Sequence, residues 1–166
     1  MLIRRAVSAD IPSLHRLLRQ VLEVHHAGRP DLFRGGVTKY TDEELAVLLQ
    51  DEGRPVFGAF DEAGMLLGYA FCVIEEYRGD NIMTDRKTLY IDDICVEETA
   101  RGQHVGTALF RHVTGWARKQ GFYNVTLNVW ECNPGARAFY VAMGMVPFKT
   151  GMETILQNSS ESPNTP

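Results

Sequence analysis

Two adjacent acids, Asp92 and Asp93, stand inside the otherwise apolar run LYIDDICV. A carboxylate is costly to bury without a partner. The pair therefore marks either an ordinary surface stretch of strand or a site where charge has work to do. Such a group can take a proton from an alkyl ammonium, directly or through water, and can attract a cation. Successive strand side chains point to opposite faces, so both acids reach one cleft only if the strand is distorted, as a bulge would do.

The same run continues through a loop into a helix, IDDICVEETARGQHVGTALF. Backbone N–H groups of such a loop and of the first helical turn have no intrahelical partner and sit at the positive end of the helix dipole, so they can solvate a pyrophosphate. The amides of Gln103, His104, Val105, Gly106 and Thr107 are candidates, with Arg101 and Gly102 ahead of them, and Gly106 removes a side chain where a ligand would approach. A plain tight turn is the competing explanation. Further on, LNVWECNPGARAFYVAMGM holds Asn133 just before Pro134, an N-cap position, and Tyr140. A phenol titrates near ~10, so Tyr140 arrives protonated and can donate, unless it is simply a core tyrosine. His25, His26, Arg29 and Asp31 follow the first helix, and Glu75, Glu76 and Glu131 are further charges; each also reads as a solvated surface group.

The elements that position these residues follow from spacing. Ile11, Leu14, Leu18, Val21 and Leu22 form one helical face after Ser8, Asp10 and Pro12, behind a short strand from Leu2 to Val7. AGRPDLFRGG interrupts, and Thr41-Asp42-Glu43-Glu44 is a capping box that opens a second helix. Pro55 to Phe60 and Met65 to Tyr77 read as an antiparallel hairpin across Asp61-Glu62-Ala63-Gly64, and Thr88 to Val96 as a third run. Val105, Ala108, Leu109, Val113 and Trp116 define a helix that Gly121 stops. A strand from Val125 to Trp130, a short helix from about Pro134 to Met143 and a last strand pair around Met145 to Leu156 complete one domain over 1–156, and the polar end, 157–166, is expected to be disordered.

With 166 residues, 45% of them apolar and 23% charged, the chain has the makeup of a single globular domain. A net charge of -4 and no basic stripe argue against nucleic acid as a partner. No apolar run is long enough to cross a membrane, and MLIRRAVSAD lacks the core of a secretory signal, so no membrane association and a cytoplasmic location are expected. Cys72, Cys95 and Cys132 are odd in number and widely spaced, which suits reduced thiols, and no metal site is expected.

Taken together, the order of elements and the runs LYIDDICVEETARGQHVGTAL and LNVWECNPGARAFYVAMGM resemble the GNAT superfamily of N-acetyltransferases, over roughly residues 60 to 150 and more weakly from Ile3 through the first helix. Arg101 and Gly106 match the family's Arg/Gln-x-x-Gly-x-Gly/Ala pattern, while His104 stands where the middle glycine is usual. A side chain there would crowd the cofactor or need a different backbone angle, or it simply points to solvent. The resemblance implies an α/β fold of the α+β kind. Its central sheet would be mixed and mostly antiparallel, with six or seven strands, about four helices on both faces and a strand bulge at the cofactor cleft.

The resemblance also implies acetyl-CoA as the acetyl donor, paired by its pantetheine with the backbone of Ile94, Cys95 and Val96. Ile94 N–H would then polarise the thioester carbonyl and Asn133 would hydrogen-bond the pantetheine. By the same resemblance Tyr140 protonates the departing thiolate. The acidic pair, with the Trp, Asn and Phe-Tyr that follow, is similar to diamine acetyltransferases, which implies Asp92 as base and Asp93 as holder of a cationic amine. His26, Arg29 and Glu131 would shape or charge the acceptor pocket. The expected reaction is acetyl transfer to a small, polyamine-like primary amine. A peptide N-terminal or lysine acetyltransferase is the alternative within the fold, a non-catalytic CoA-binding sensor or docking module the alternative outside it. By analogy with the family, a homodimer is an open option.

Overall fold

The computed structural model describes residues 1–156; the expected disordered tail, 157–166, lies outside them. Five strands form one sheet in the order β1 (Leu2–Arg5), β2 (Val56–Phe60), β3 (Leu66–Tyr77), β4 (Arg86–Val96) and β5 (Asn124–Leu127). The first four pair antiparallel, and β4 and β5 pair parallel. The β2–β3 hairpin closes as its sequence suggests: Asp61 Oδ1 accepts from Met65 N–H at 2.8 Å, and Gly64 supplies the positive φ of 82° that the turn needs.

Two helices cover each face. α1 (Ile11–Gly28) and α2 (Asp42–Leu48) bury Leu14, Leu17, Leu18 and Leu45 against Val56, Phe60, Leu66, Tyr69 and Phe71 of the sheet. On the other face α3 (Val105–Lys119) buries Val105, Leu109, Phe110 and Val113 against Phe57, Ala70, Cys72, Leu89 and Ile91, and α4 (Pro134–Ala142) adds Phe139 and Tyr140. The sheet is thus apolar on both sides, which is why β2 and β3 read as unbroken apolar runs. Thr41 and Glu44 form the expected capping box at α2, with Glu44 N–H on Thr41 Oγ1 at 3.2 Å and Thr41 N–H on Glu44 Oε2 at 2.8 Å. Gly121 ends α3 with a φ of 74°.

One expectation is corrected. The described residues hold five strands, not six or seven, because Met145 to Leu156 forms no strand pair. Pro147 has no N–H to give a ladder, and Val146, Phe148, Met152 and Leu156 are exposed and not packed on either core.

Candidate active site

The acidic pair sits on a bulge. Phe71 faces Asp93 and Cys72 faces Ile91, so Asp92 is the extra residue in β4. The insertion reverses the alternation along the strand. Leu89 and Ile91 pack on the α3 side, whereas Cys95 packs on the α1 side and reaches Leu17 O at 3.5 Å. Asp93 shares that second orientation and accepts a 2.8 Å hydrogen bond from the Tyr69 hydroxyl. Without the bulge the two acids would face opposite sides of the sheet; with it both line one cleft.

Their environments differ. Asp92 is ion-paired at 2.9 Å with Lys39, which comes from the loop between α1 and α2. Burial raises the Asp93 carboxyl above its ordinary value, and the Lys39 charge and the Tyr69 hydrogen bond offset that only in part. Burial pulls the Lys39 ammonium down, but Asp93 and Asp92 outweigh it and hold Lys39 above its ordinary value. Neither Lys39 nor Tyr69 was singled out from sequence. Lys39 belongs to an irregular loop with no periodicity, and Tyr69 is hidden in an apolar run.

The cleft exists because β4 and β5 part. Their parallel pairing runs from Thr88↔Asn124 to Ile91↔Leu127 and stops, while β4 continues to Val96 along β3 alone. Glu97 N–H bonds Leu67 O at 2.8 Å, and backbone direction alternates with a period of two. The N–H of Cys95 therefore also faces β3, and those of Ile94 and Val96 face the gap. Val96 O points the same way, since it takes the Arg101 Nε–H at 3.5 Å. A strand-like ligand arm would find its hydrogen-bonding partners along this edge. The Cys95 side chain is buried on the α1 side and its N–H faces β3, so of the three expected partners Ile94 and Val96, and not Cys95, face such an arm.

The gap opens into a cleft of about 1340 Å³ whose walls include Asp92, Asp93, Ile94, Trp130, Asn133 and Tyr140. Tyr140 packs against Phe110 and Phe139, with ring centroids 6.2 and 5.2 Å away. Burial, and after it the Asp93 charge, lifts its phenol well above the ordinary value, so Tyr140 keeps its proton at neutral pH. Asn133 caps α4 by accepting Ala136 N–H at 3.1 Å and lines the cleft as well.

At the mouth of the gap lies the loop before α3. Arg101, Gly102, Gln103 and His104 are exposed, and the first α3 amide bonded to the turn is that of Ala108, to His104 O at 3.0 Å. The amides of Val105, Gly106 and Thr107 precede it, at the positive end of a 15-residue helix. His104 has φ 61°, in the left-handed region. The position therefore needs the conformation that glycine adopts freely, and His104 adopts it with its side chain in solvent. A Cβ on Gly106 would lie 3.4 Å from Val96 and 3.5 Å from Phe139, so Gly106 stands where the end of β4 and α4 converge.

The remaining candidates divide. Arg29 lines the cleft, held by Asp31 at 2.7 Å and by Glu153. Glu131 also lines it, exposed and 3.6 Å from Arg137. His26 is turned into its own loop, where Nδ1 meets Phe33 O at 2.7 Å. Its neighbour His25 lines the cleft instead, its ring tilted against Phe33 with centroids 5.0 Å apart, and Phe33 meets Trp130 edge-on at 5.3 Å. Glu75 and Glu76 do not line it; they pair with Tyr77 and with Arg78 and Lys87.

The acetyltransferase (GNAT) family matches residues 18–145. The chain belongs to that family. Among solved structures, a tetramutant of the BH1408 protein from Bacillus halodurans is 31% identical, with a TM-score of 0.90 over 94% of this chain and 100% of that one. An aminoglycoside acetyltransferase from an uncultured soil metagenomic sample is 20% identical, with a TM-score of 0.73 over 95% and 96%. Glucosamine-6-phosphate N-acetyltransferase from Arabidopsis thaliana is 20% identical, with a TM-score of 0.68 over 94% and 98%. The last two likenesses show the fold alone. No curated protein matches the chain. Among the described residues of this GNAT protein, no helix is long and apolar enough to cross a membrane, and no group of His, Cys, Asp and Glu is arranged to hold a metal ion.

Proposed function

We propose that the protein transfers an acetyl group from acetyl-CoA to a primary amine of a small molecule, by direct attack in a ternary complex. The observation that carries this reading is the placing of Asp93 and Tyr140 on one cleft, beside a stretch of β4 whose edge is left unpaired. Acetyl-CoA, when bound, supplies an activated thioester. The chain fits it at two places: the Ile94 and Val96 edge suits an amide-bearing arm, and the amides of His104 to Thr107, with Arg101, suit a pyrophosphate, the Gln103 N–H being taken up by Ala100 O at 3.4 Å.

Each role then falls to one group. Ile94 N–H polarises the thioester carbonyl. Of the two acids, Asp93 is the better proton acceptor, because burial has already raised its affinity for a proton toward that of the amine. The resemblance to diamine acetyltransferases gave that part to Asp92, but the Asp92 carboxylate is occupied by the Lys39 ammonium at 2.9 Å. Tyr140, protonated on arrival, gives its proton to the sulfur that leaves.

The reading is tested by thiol release from acetyl-CoA across a panel of monoamines, diamines, amino sugars and a peptide with a free N-terminus. Transfer to a small amine supports it, and transfer to the peptide alone replaces the acceptor class. CoA binding without thiol release for any acceptor overturns catalysis in favour of a sensor or docking module.

A further inference from the structure

A cation stands beside the acidic pair, on Asp92, which lines the cleft next to Asp93. Lys39 Nζ lies 2.9 Å from Asp92 Oδ2, with the two side chains 36% and 31% exposed; Asp92 lines the cleft and Lys39 sits behind it. The lysine is not a loose surface arm. Its loop is fixed by Glu23, which accepts Gly36 N–H at 3.1 Å, by His26 on Phe33 O, and by the Thr41 capping box two residues on. Its ammonium lies 5.4 Å from the centroid of the Tyr40 ring, which is stacked at 6.0 Å on Phe71, the residue that faces Asp93 across β3 and β4. Lys39 is thereby delivered from α1–α2 to the bulge in β4, across 53 positions of sequence.

Counting charge at this spot leaves one negative group. Asp92 and Asp93 give two, and Lys39, hydrogen-bonded to Asp92 and acting by its charge on Asp93 as well, offsets one of them. The other charged groups near it do not restore the balance: Arg29 is committed to Asp31 and Glu153, and Glu131 lies in open solvent beside Arg137. An amine with one positive charge meets the one negative charge that is left over. A diamine of the same length brings a second ammonium toward Asp92, where it meets the Lys39 ammonium and must displace it.

We propose that Lys39 is a specificity-determining residue: it fills the second-cation place beside Asp92 with the chain's own ammonium, so that the site selects primary amines carrying a single positive charge over diamines. This rests on the acetyltransferase reading for the identity of the acceptor, but its test reads binding and not turnover.

The test uses the full chain loaded with CoA and measures binding of butylammonium and of 1,4-butanediammonium by calorimetry. The wild type is expected to bind the monoamine at least as well as the diamine. Lys39→Met is expected to move the ratio of affinities toward the diamine by about tenfold, the factor that one lost charge repulsion of ordinary size gives. Lys39→Arg keeps the charge and is expected to keep the wild-type ratio, and adding Asp92→Asn to Lys39→Met is expected to erase the gain. An unchanged ratio in Lys39→Met with an unshifted Tm overturns the proposal, as does a gain that survives Asp92→Asn. Amines that bind with the expected ratios yet are never acetylated overturn the transfer reading and leave the role of Lys39 standing; binding of neither amine by any variant overturns both.

Discussion

Tyr69 and Asp93 meet diagonally across β3 and β4, the Tyr69 hydroxyl donating to Asp93 Oδ2 at 2.8 Å. One hydrogen bond is too little to offset the burial of the carboxylate, which stays raised above its ordinary value. The site thus keeps a carboxylate that is expensive to ionise, which is the property a proton acceptor needs and a purely structural residue would shed.

Asp93→Asn separates these effects. The amide can still accept from Tyr69 but takes no proton, so kcat is expected to fall by about a hundredfold or more, while the fold gains about 1 kcal/mol at neutral pH by losing a desolvated charge. The sign follows from the raised folded-state value. Below the ordinary carboxylate range Asp93 is protonated in both states and costs nothing; as pH rises from there through the raised folded value, the wild type loses stability, and above it the loss is constant. Thermal melts across pH are expected to show the variant ahead at neutral pH and level with the wild type below about pH 4.

Tyr140→Phe removes one oxygen from a ring held by Phe110 and Phe139, so packing is retained. Turnover is expected to fall by about a hundredfold, with CoA affinity within a few-fold of the wild type, because the proton is given only as the sulfur leaves. Steady-state rates beside calorimetric titration with CoA separate the two. A variant as fast as the wild type removes Tyr140 from the mechanism.

His104 occupies a left-handed position that a glycine would fill without strain. His104→Gly is expected to stabilise the fold by about 1 kcal/mol, read as a higher Tm, since the native angle is hard on any residue with a Cβ. The exposed imidazole lies outside the core, so nothing is lost in packing. CoA affinity is expected to hold or rise, because the part proposed for His104 is played by its backbone amide, which glycine keeps.

Local signals made much of this legible. Thr41 and Glu44 announce a helix start because a capping box is a contact three residues long, and Val105 to Trp116 announce α3 by their period. Asp92-Asp93 pointed to a distorted strand, because adjacent strand residues otherwise face opposite sides, and the GNAT resemblance implied that the distortion is a bulge, which the β3–β4 register has. What stayed hidden depends on distant partners. Lys39 meets Asp92 across 53 positions, and nothing in its own loop foretells that. His26 and His25 were indistinguishable by type; only the path of the loop turns the first onto Phe33 O and leaves the second in the cleft. Met145 to Leu156 has the composition of strands, but a strand also needs a ladder partner, and composition does not supply one.

Gly106 offers the sharpest test of the anion-binding turn. The backbone there is helical, so the residue is not glycine for want of a positive φ. Space does not demand it either: an added Cβ would make ordinary contacts of 3.4 Å with Val96 and 3.5 Å with Phe139. What a missing side chain would allow here is the close approach of a ligand to the first turn of α3, as proposed above. Gly106→Ala is therefore expected to fold without strain, and Gly106→Val to fold with a loss from helix propensity of about 0.5 kcal/mol relative to alanine together with the displacement its methyl groups force on Val96 or Phe139, which a thermal melt reads. CoA affinity is expected to fall by a few-fold for alanine and about tenfold or more for valine, the bulkier and stiffer side chain. Pantetheine, which carries the arm but no pyrophosphate, provides the control. Its affinity is expected to stay level across the series, whereas an equal loss for CoA and pantetheine would move the effect of Gly106 from the phosphates to the arm, and unchanged CoA affinity in folded Gly106→Val would take the pyrophosphate away from this turn.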